Sequence, residues 1–301
     1  MSLIEIHGLT KDYGRGRGIF DIHLEVEGGE SFGFVGTNGA GKTTTIRHLM
    51  GFLDPHEGSC KIRGLDCWHQ AAEVKKHVGY VPGEIAFPDA SSGFAFLDRQ
   101  ATMTGRTNRR YRDYILDKLQ LDASANLKRM SKGMKQKTAI VAAFMHDPPI
   151  LIMDEPSTGL DPLMRASFVD LLEEERSRGK TIFMSSHMFD ELETTCDRVA
   201  MIKDGAIVDV ASTAAIRHHE DKTYKIEFLA GEDYRRFLSE PFQVSERRDS
   251  TNQVFVNVHD DEIDLLVRRL TGYRIKFFTE IKYSLEQYFN NIYKREPADV
   301  Q

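Results

Sequence analysis

The sequence predicts an α/β protein with a mainly parallel sheet, a helical subdomain and some N-terminal antiparallel strands, followed by a small α+β domain. Short apolar runs of strand length alternate with helical stretches over the first two-thirds of the chain. Amphipathic helical stretches without strands interrupt this alternation. The last third changes to alternating strand patterns with two amphipathic helices.

The predicted strands of the first part are compact apolar runs that end at turn signals or at polar residues. In the run 19–26, Ile22, Leu24 and Val26 alternate with polar residues, which is typical of a half-buried strand. Further strands are predicted at 31–36, 78–82, 150–155, 181–186 and 198–205, and helices at 42–52, 162–178 and 187–196. Because helices separate most of these strands, we expect most of them to be parallel.

Changes in these patterns predict two domains. The first is expected over residues 1–215, with about 88–146 as a helical subdomain that contains FAFLDRQATM and YRDYILDKLQL. The second is expected over 216–301. Its strands and helices follow the order β-α-β-β-α-β and then α, which fits a split β-α-β, ferredoxin-like domain.

The composition excludes several classes of protein. The net charge of −6 provides no basic field, so we expect no nucleic-acid partner. The longest apolar run, AIVAAFM at 139–145, is far shorter than the roughly 20 residues that cross a bilayer. The N-terminal MSLIEIHG lacks the regions of a signal peptide. We therefore expect a cytoplasmic protein, with three cysteines that are free reduced thiols.

Residues 36–44, GTNGAGKTT, fit the pattern G-x-x-x-x-G-K-[ST] and lie between a predicted strand and a predicted helix. Glycines let successive backbone N–H groups point at phosphate oxygens, and the helix N-terminus adds its dipole. Lys42 is expected to reach the β- and γ-phosphates, and the Thr43 hydroxyl to bind Mg²⁺. The nucleotide-binding residues are therefore predicted to be Gly36, Thr37, Asn38, Gly39, Ala40, Gly41, Lys42, Thr43 and Thr44.

A pair of acidic residues ends the apolar run ILIMDE at 150–155. Asp154, at the carboxyl end of a buried strand, is expected to hold Mg²⁺ directly or through water. Glu155 is expected to lie near the γ-phosphate as the general base for hydrolysis.

Four motifs now stand in one order along the chain: GTNGAGKTT, MSKGMKQK, ILIMDEPSTGLDP and TIFMSSH. With these motifs the chain resembles the nucleotide-binding subunit of an ABC transporter, from residue 1 to about 215. The resemblance implies a P-loop NTPase fold of the ABC type. It also implies that the chain hydrolyses ATP, pairs with a second ATPase subunit on binding ATP and Mg²⁺, and drives a separate integral-membrane permease.

The resemblance assigns roles to three further residues. Tyr13 in KDYG matches the aromatic residue that stacks on adenine, although a core-facing tyrosine is the alternative. Asp161 belongs to STGLD, which matches the loop that crosses to the partner subunit. His187 matches the histidine that contacts the γ-phosphate.

MSKGM lies where the family has its signature motif, commonly LSGGQ, which binds ATP held by the other subunit. The resemblance gives Ser131 and Gly133 the roles of hydroxyl and backbone N–H donors to the γ-phosphate. Lys132 and Met134 depart from the motif, replacing a glycine and a glutamine. From the residues alone, Ser131 is also a candidate cap of a basic helix.

A second departure follows the predicted strand 78–82. The family commonly has a glutamine there that contacts Mg²⁺ and the attacking water, whereas this chain has Gly83 and then Glu84. Glu84 could take over that role, displaced by one residue, or it could be a solvated loop carboxylate.

The resemblance favours an exporter of a drug, peptide or lipid, and the segment SLEQYF at 284–289 agrees with such an ATPase. Two alternatives remain open: a soluble ABC protein that acts on ribosomes or DNA, and a regulator with weak hydrolysis. The second domain carries no catalytic motif, so a structural or dimer-stabilising role is expected there.

Overall fold

The computed structural model of this chain describes residues 2–105, 108–217 and 221–294. The chain divides into two compact units, Met1–Ser212 and Thr213–Gln301. Each unit has its own hydrophobic core. No described helix combines the length and apolarity that crossing a membrane requires.

The first unit contains ten strands and seven α-helices among its described residues. In chain order they are β1 (Ser2–Asp12), β2 (Gly18–Glu27), β3 (Ser31–Val35), α1 (Lys42–Leu49), β4 (Glu57–Ile62), β5 (Leu65–Asp66), α2 (Ala71–Lys75), β6 (Val78–Val81), α3 (Gly93–Thr104), α4 (Arg109–Lys118), α5 (Lys132–Phe144), β7 (Ile150–Asp154), α6 (Pro162–Ser177), β8 (Thr181–Ser185), α7 (Phe189–Thr195), β9 (Arg198–Lys203) and β10 (Ala206–Ser212).

A six-stranded sheet in the order β10-β9-β3-β8-β7-β6 forms the centre of this unit. All neighbouring pairs are parallel except β10 with β9. Every residue of β3, β7 and β8 is buried, because helices cover both faces of such a sheet. The carboxyl ends of β3, β6, β7 and β8 therefore lie along one edge, where ligands bind in α/β folds.

The N-terminal strands form a second, antiparallel sheet in the order β2-β1-β4-β5. Ile22, Leu24 and Val26 on β2 are buried, as the alternating pattern predicts. They belong to one core that also includes Phe34 of β3 and Ile46 of α1. The predicted α/β fold class is confirmed.

Between β6 and β7 the described residues form three α-helices, α3 to α5, with one short 3-10 turn (Leu127–Arg129) and no strand. The first two begin at side-chain caps: Ser92 Oγ accepts from the Ala95 N–H at 3.2 Å, and Asn108 Oδ1 accepts from the Tyr111 N–H at 3.0 Å.

The second unit is an antiparallel sheet in the order β12-β13-β11-β14 with helices. Its elements are α8 (Thr213–Arg217), β11 (Asp221–Phe228), α9 (Gly231–Phe237), β12 (Gln243–Arg248), β13 (Gln253–His259), α10 (Ile263–Leu270), β14 (Ile275–Ile281) and α11 (Leu285–Lys294). Tyr224, Ile226 and Phe228 of β11 alternate into its core, where they pack with residues of α9 and α10.

Three details differ from the expected elements. Helix α1 ends at Leu49 rather than at residue 52, because Gly51 takes a positive φ of 61° that terminates the helix. Strand β12 continues through Arg248, although the segment 247–252 is rich in residues typical of turns and was expected to form the turn between β12 and β13. Strand β10 was not predicted; its alternating pattern lies after a turn at Asp204 and Gly205, both at positive φ.

Candidate active site

Residues 36–44 connect the end of β3 to the first residue of α1. Gly39 and Gly41 have φ values of 85° and 116°, which L side chains rarely adopt, so the loop geometry depends on glycine at both positions. The Lys42 ammonium donates to the Gly36 carbonyl at 2.6 Å, across the loop. The loop therefore surrounds the positively charged Lys42 side chain at the N-terminus of α1. Such a position favours the binding of phosphate.

Two cavities adjoin this loop and share Thr37, Asn38, Thr43 and Glu155. One has a volume of about 560 Å³ and reaches the ends of β6, β7 and β8; the other, of about 300 Å³, reaches Tyr13, whose side chain is half exposed. Across the two cavities the lining residues include Tyr13, Gly36, Thr37, Asn38, Gly39, Gly41, Lys42, Thr43, Thr44, Glu84, Asp154, Glu155 and His187.

Asp154 is 1% exposed at the end of β7. Its Oδ1 accepts a hydrogen bond from the Ser185 hydroxyl at 2.6 Å, while Oδ2 has no hydrogen-bond partner. Burying a carboxylate oxygen without a partner is costly, which suggests that a bound group completes this site. Thr43 lines the same cavity, so a hydroxyl and a carboxylate are available there to a hard cation.

Glu155 occupies the left-handed region with a φ of 50°, which costs a non-glycine residue about 1–2 kcal/mol. Its N–H donates to both the carbonyl and the hydroxyl oxygen of Ser185, each at 3.1 Å. Its Oε1 lies 3.5 Å from Lys42 Nζ, and its Oε2 lies 2.5 Å from His187 Nδ1. This strained backbone therefore aims the carboxylate between a lysine and a histidine.

Ser185 was not singled out from the sequence, although it stands two residues before His187 in TIFMSSH. It bonds both acidic residues because β7 and β8 are parallel and Asp154 pairs with Ser185. The only signal in the sequence was its place at the end of a strand.

A buried network lies beneath His187. The Glu191 carboxylate, 3% exposed, accepts hydrogen bonds at Oε2 from the hydroxyls of Ser186 at 2.6 Å and Ser157 at 3.0 Å. Burial raises the pKa of this carboxyl above its ordinary value. The network joins the residue before His187 to the loop that follows Glu155.

The variant Glu191→Gln is expected to raise the melting temperature near pH 8 and to have less effect near pH 4. The raised pKa means that the folded protein holds this proton more tightly than the unfolded chain does, so ionisation at rising pH destabilises the fold. Removing that charge should stabilise by on the order of 1 kcal/mol. Thermal unfolding against pH tests this, with the exposed Glu57→Gln as control; a pH-independent difference would contradict it.

Ser131 caps α5, as its position predicts: its Oγ accepts from the Met134 N–H at 3.2 Å. The hydroxyl proton is therefore still available to another acceptor. The start of α5 packs closely on the loop after Glu155, since a Cβ built on Gly133 would lie 2.9 Å from the Gly159 carbonyl oxygen. Gln136 Nε2 donates to the Pro156 carbonyl at 2.7 Å, which ties the same helix to the same loop.

Four of the predicted site residues lie outside the two cavities: Ala40, Ser131, Gly133 and Asp161. Asp161 caps α6, with Oδ1 accepting from the Met164 N–H at 3.0 Å. Ala40 is buried beneath the loop, so its backbone is what could take part in binding.

Gly83 lies next to Asp154, because β6 and β7 are parallel and Val81 pairs with Met153. Glu84 is exposed and lines the larger cavity.

Comparisons with known proteins identify the family of this chain. The family model for ABC transporters matches residues 19–158. An uncharacterised ABC transporter ATP-binding protein, YhcH of Bacillus subtilis, is 30% identical over 307 aligned positions that cover 100% of this chain and 99% of YhcH. The bacitracin transport ATP-binding protein BcrA of Bacillus licheniformis is 35% identical over 69% of each chain.

A solved structure of an ATP-binding subunit of an ABC transporter is 29% identical, with a TM-score of 0.65 over 72% of this chain and 92% of that one. This likeness extends from the sequence to the arrangement of the elements. We conclude that this chain belongs to the ABC transporter family as an ATP-binding subunit and that it is an ATPase.

Proposed function

We propose that this chain powers a separate integral-membrane permease, as a homodimer that closes head to tail on two ATP molecules. One observation carries the proposal: the phosphate loop and both acidic residues line the cavities, whereas Ser131 and Gly133 lie outside them. A phosphate at the loop is thus contacted from one side only, and a second copy supplies the N-terminus of α5 for the other side.

Nucleotide binding is assigned to Tyr13 and the loop 36–44. The half-exposed Tyr13 ring stacks on the adenine, which contributes about 1–3 kcal/mol and discriminates little between bases. Lys42 and the backbone N–H groups at the start of α1 bind the phosphates. The Lys42 ammonium then exchanges the Gly36 carbonyl for phosphate oxygens.

Mg²⁺ is assigned to Thr43 and Asp154, and the unpartnered Oδ2 of Asp154 fits that assignment. The described residues contain no group of three or more His, Cys, Asp or Glu side chains that could hold a metal by themselves. Mg²⁺ commonly binds through one or two protein ligands together with waters and nucleotide phosphates, which suits this set. When bound, the ion neutralises charge on the phosphates.

Glu155 is assigned as the general base that takes a proton from the attacking water. Its backbone is held by Ser185, and its carboxylate lies between Lys42 and His187. His187 keeps the carboxylate in position through Oε2 and turns its second ring nitrogen to the γ-phosphate. Positioning and electrostatics account for most of the catalysis of phosphoryl transfer.

The dimer closes and reopens because each proposed ATP site is formed by residues of both subunits. In the closed dimer the Ser131 hydroxyl and the Gly133 N–H of one subunit bind the γ-phosphate held by the other. Asp161 and the loop before α6 face the partner subunit. Hydrolysis removes the phosphate that both subunits hold, so the dimer opens and the permease changes state.

Export of a drug, peptide or lipid is the favoured direction, in line with the relative BcrA, which is named for bacitracin transport. The protein then lies in the cytoplasm, on the inner face of the cell membrane through its permease, and binds no nucleic acid.

Co-purification tests this function. Tagged full-length chain, extracted with mild detergent from the cells that make it, is expected to bring down an integral-membrane protein, and ATP turnover should rise several-fold with that partner. Recovery of ribosomes or DNA would instead support the soluble, non-transport alternative. Unchanged, slow turnover with the partner would support the regulator.

A further inference from the structure

Cys60 and Cys67 lie opposite each other on the hairpin formed by β4 and β5. The two strands are paired up to Lys61 with Asp66, so Cys60 and Cys67 are the next two residues to face each other. The Cys67 N–H donates to the Cys60 carbonyl at 3.0 Å. Opposite residues of an antiparallel pair project from the same face, so the two thiols lie on one side of the hairpin.

This placement suits a disulfide bond. Facing residues that are hydrogen-bonded across antiparallel strands have Cα atoms about 5.5 Å apart, which lies within the roughly 4.4–6.8 Å found in disulfides. Both cysteines are free, and Cys60 is 5% and Cys67 0% exposed within one core. A hydrogen bond with the Cys60 side chain raises the pKa of the Cys67 thiol, and burial adds to this. The closed hairpin therefore keeps Cys67 protonated, and a protonated thiol is a poor nucleophile.

The hairpin that carries the two cysteines lies at the edge of its sheet. Strand β5 has two residues and stands last in the order β2-β1-β4-β5. Arg63 and Gly64, which connect the strands, have φ values of 56° and 76°. Because so short an edge strand has few hydrogen bonds to break, we expect it to open without unfolding of the whole unit. Opening gives a small reagent access to both thiols.

We propose that Cys60 and Cys67 are a redox-active dithiol, which a low-molecular-weight disulfide converts into an intrachain disulfide when the hairpin opens. One cysteine thiolate attacks the reagent, forms a mixed disulfide with it and releases one reagent thiol. The second cysteine then attacks the protein sulfur of this mixed disulfide and releases the other reagent thiol. The protein loses two hydrogens, and the reagent is reduced to two thiols.

The same two cysteines contact the end of α1, the helix that begins at the phosphate loop. Cys60 Sγ donates to the His48 carbonyl at 3.4 Å, and a Cβ built on Gly51 would lie 2.2 Å from the Cys67 carbonyl oxygen. A disulfide has no S–H donor, so oxidation removes one hydrogen bond from the last turn of α1.

Oxidised glutathione is the probe for this dithiol. The folded, full-length chain is incubated with it at mildly alkaline pH, the remaining thiols are blocked, and the peptides are mapped by mass spectrometry. Peptides joined through Cys60 and Cys67 are expected, whereas Cys196, equally buried at 4% exposure, should remain a free thiol. Cys67→Ala should stop at the glutathione adduct of Cys60, because no second thiol is there to displace the glutathione.

Gly64→Ala tests whether the hairpin opens locally. Alanine is strained at a φ of 76°, so this variant should open more often and form the disulfide about fivefold faster or more. Gly179→Ala is the matched control. Gly179 has a φ of 78° in another turn, and like Gly64 it has no atom within 4 Å of an added Cβ. This control should leave the rate unchanged.

Oxidation of all three cysteines at one rate, or equal acceleration by the two glycine variants, would mean that the thiols react only from the unfolded chain, and either result overturns the inference. It is also overturned if Cys60 and Cys67 of the folded chain stay reduced under conditions that oxidise the chain in urea. None of these measurements depends on nucleotide binding, so their outcome is independent of the proposed function.

Discussion

Glu155→Gln is expected to lower ATP turnover by at least about a hundredfold while ATP binding is kept. A general base contributes roughly 10²–10⁴ to such rates, and an amide cannot take the proton from water. The shape of the side chain is preserved, so contact with His187 can persist through the amide. With ATP and Mg²⁺ the variant should accumulate as a closed dimer, because the phosphate that both subunits hold is no longer removed.

Turnover is measured as phosphate release, and dimer formation as the mass in solution by light scattering. Glu57→Gln is the control, since it is exposed and lies outside both cavities. A Glu155→Gln variant that remains monomeric at saturating ATP would refute the head-to-tail dimer. Turnover within about tenfold of wild type would remove Glu155 from the role of general base.

Ser131→Arg is expected to leave ATP binding to the single chain unchanged but to abolish both ATP-dependent dimerisation and turnover. Ser131 is exposed at the N-terminus of α5, where the proposal places the partner's γ-phosphate. Arginine cannot replace the cap to Met134, which costs about 1 kcal/mol, and its length blocks the approach of the phosphate. The steric block to the phosphate is expected to have a larger effect than the loss of the cap.

Asn108→Arg is the matched control. Asn108 also caps an exposed helix start, so this variant loses a cap and gains an arginine away from the site. Ser131→Ala separates the loss of the cap from the block and should retain part of the dimerisation. If Ser131→Arg forms the dimer as wild type does, α5 is not the partner's contribution to the site.

A mixture of Ser131→Arg with a second variant, Lys42→Ala, provides a further test of the head-to-tail dimer. Lys42→Ala should lose ATP binding, and neither it nor Ser131→Arg should form a dimer alone. Mixed together, the two variants build one composite site with an intact loop and an intact Ser131, so some ATP-dependent dimer should return. A side-by-side arrangement, in which each site uses residues of one chain, would give no such recovery.

The sequence pattern was sufficient to predict those elements whose formation depends on residues close together in the chain. The alternation at 19–26 predicted β2 and its buried face, and the apolar run before Asp154 predicted β7. The cap at Ser131 was also predicted, because it involves residues three apart. The end of α1 was placed wrongly, because a glycine such as Gly51 ends a helix only when its φ becomes positive, and the sequence does not show φ.

The loop 36–44 and the acidic pair Asp154 and Glu155 could be predicted from the sequence, since each is a contiguous motif next to a predictable strand or helix. How these segments come together could not, because it depends on the order of strands in the sheet. Parallel pairing brings Ser185 to Asp154 and sets Gly83 beside the free carboxylate oxygen. Residues far apart in the chain become neighbours through the order of strands, and local propensities carry no information about that order.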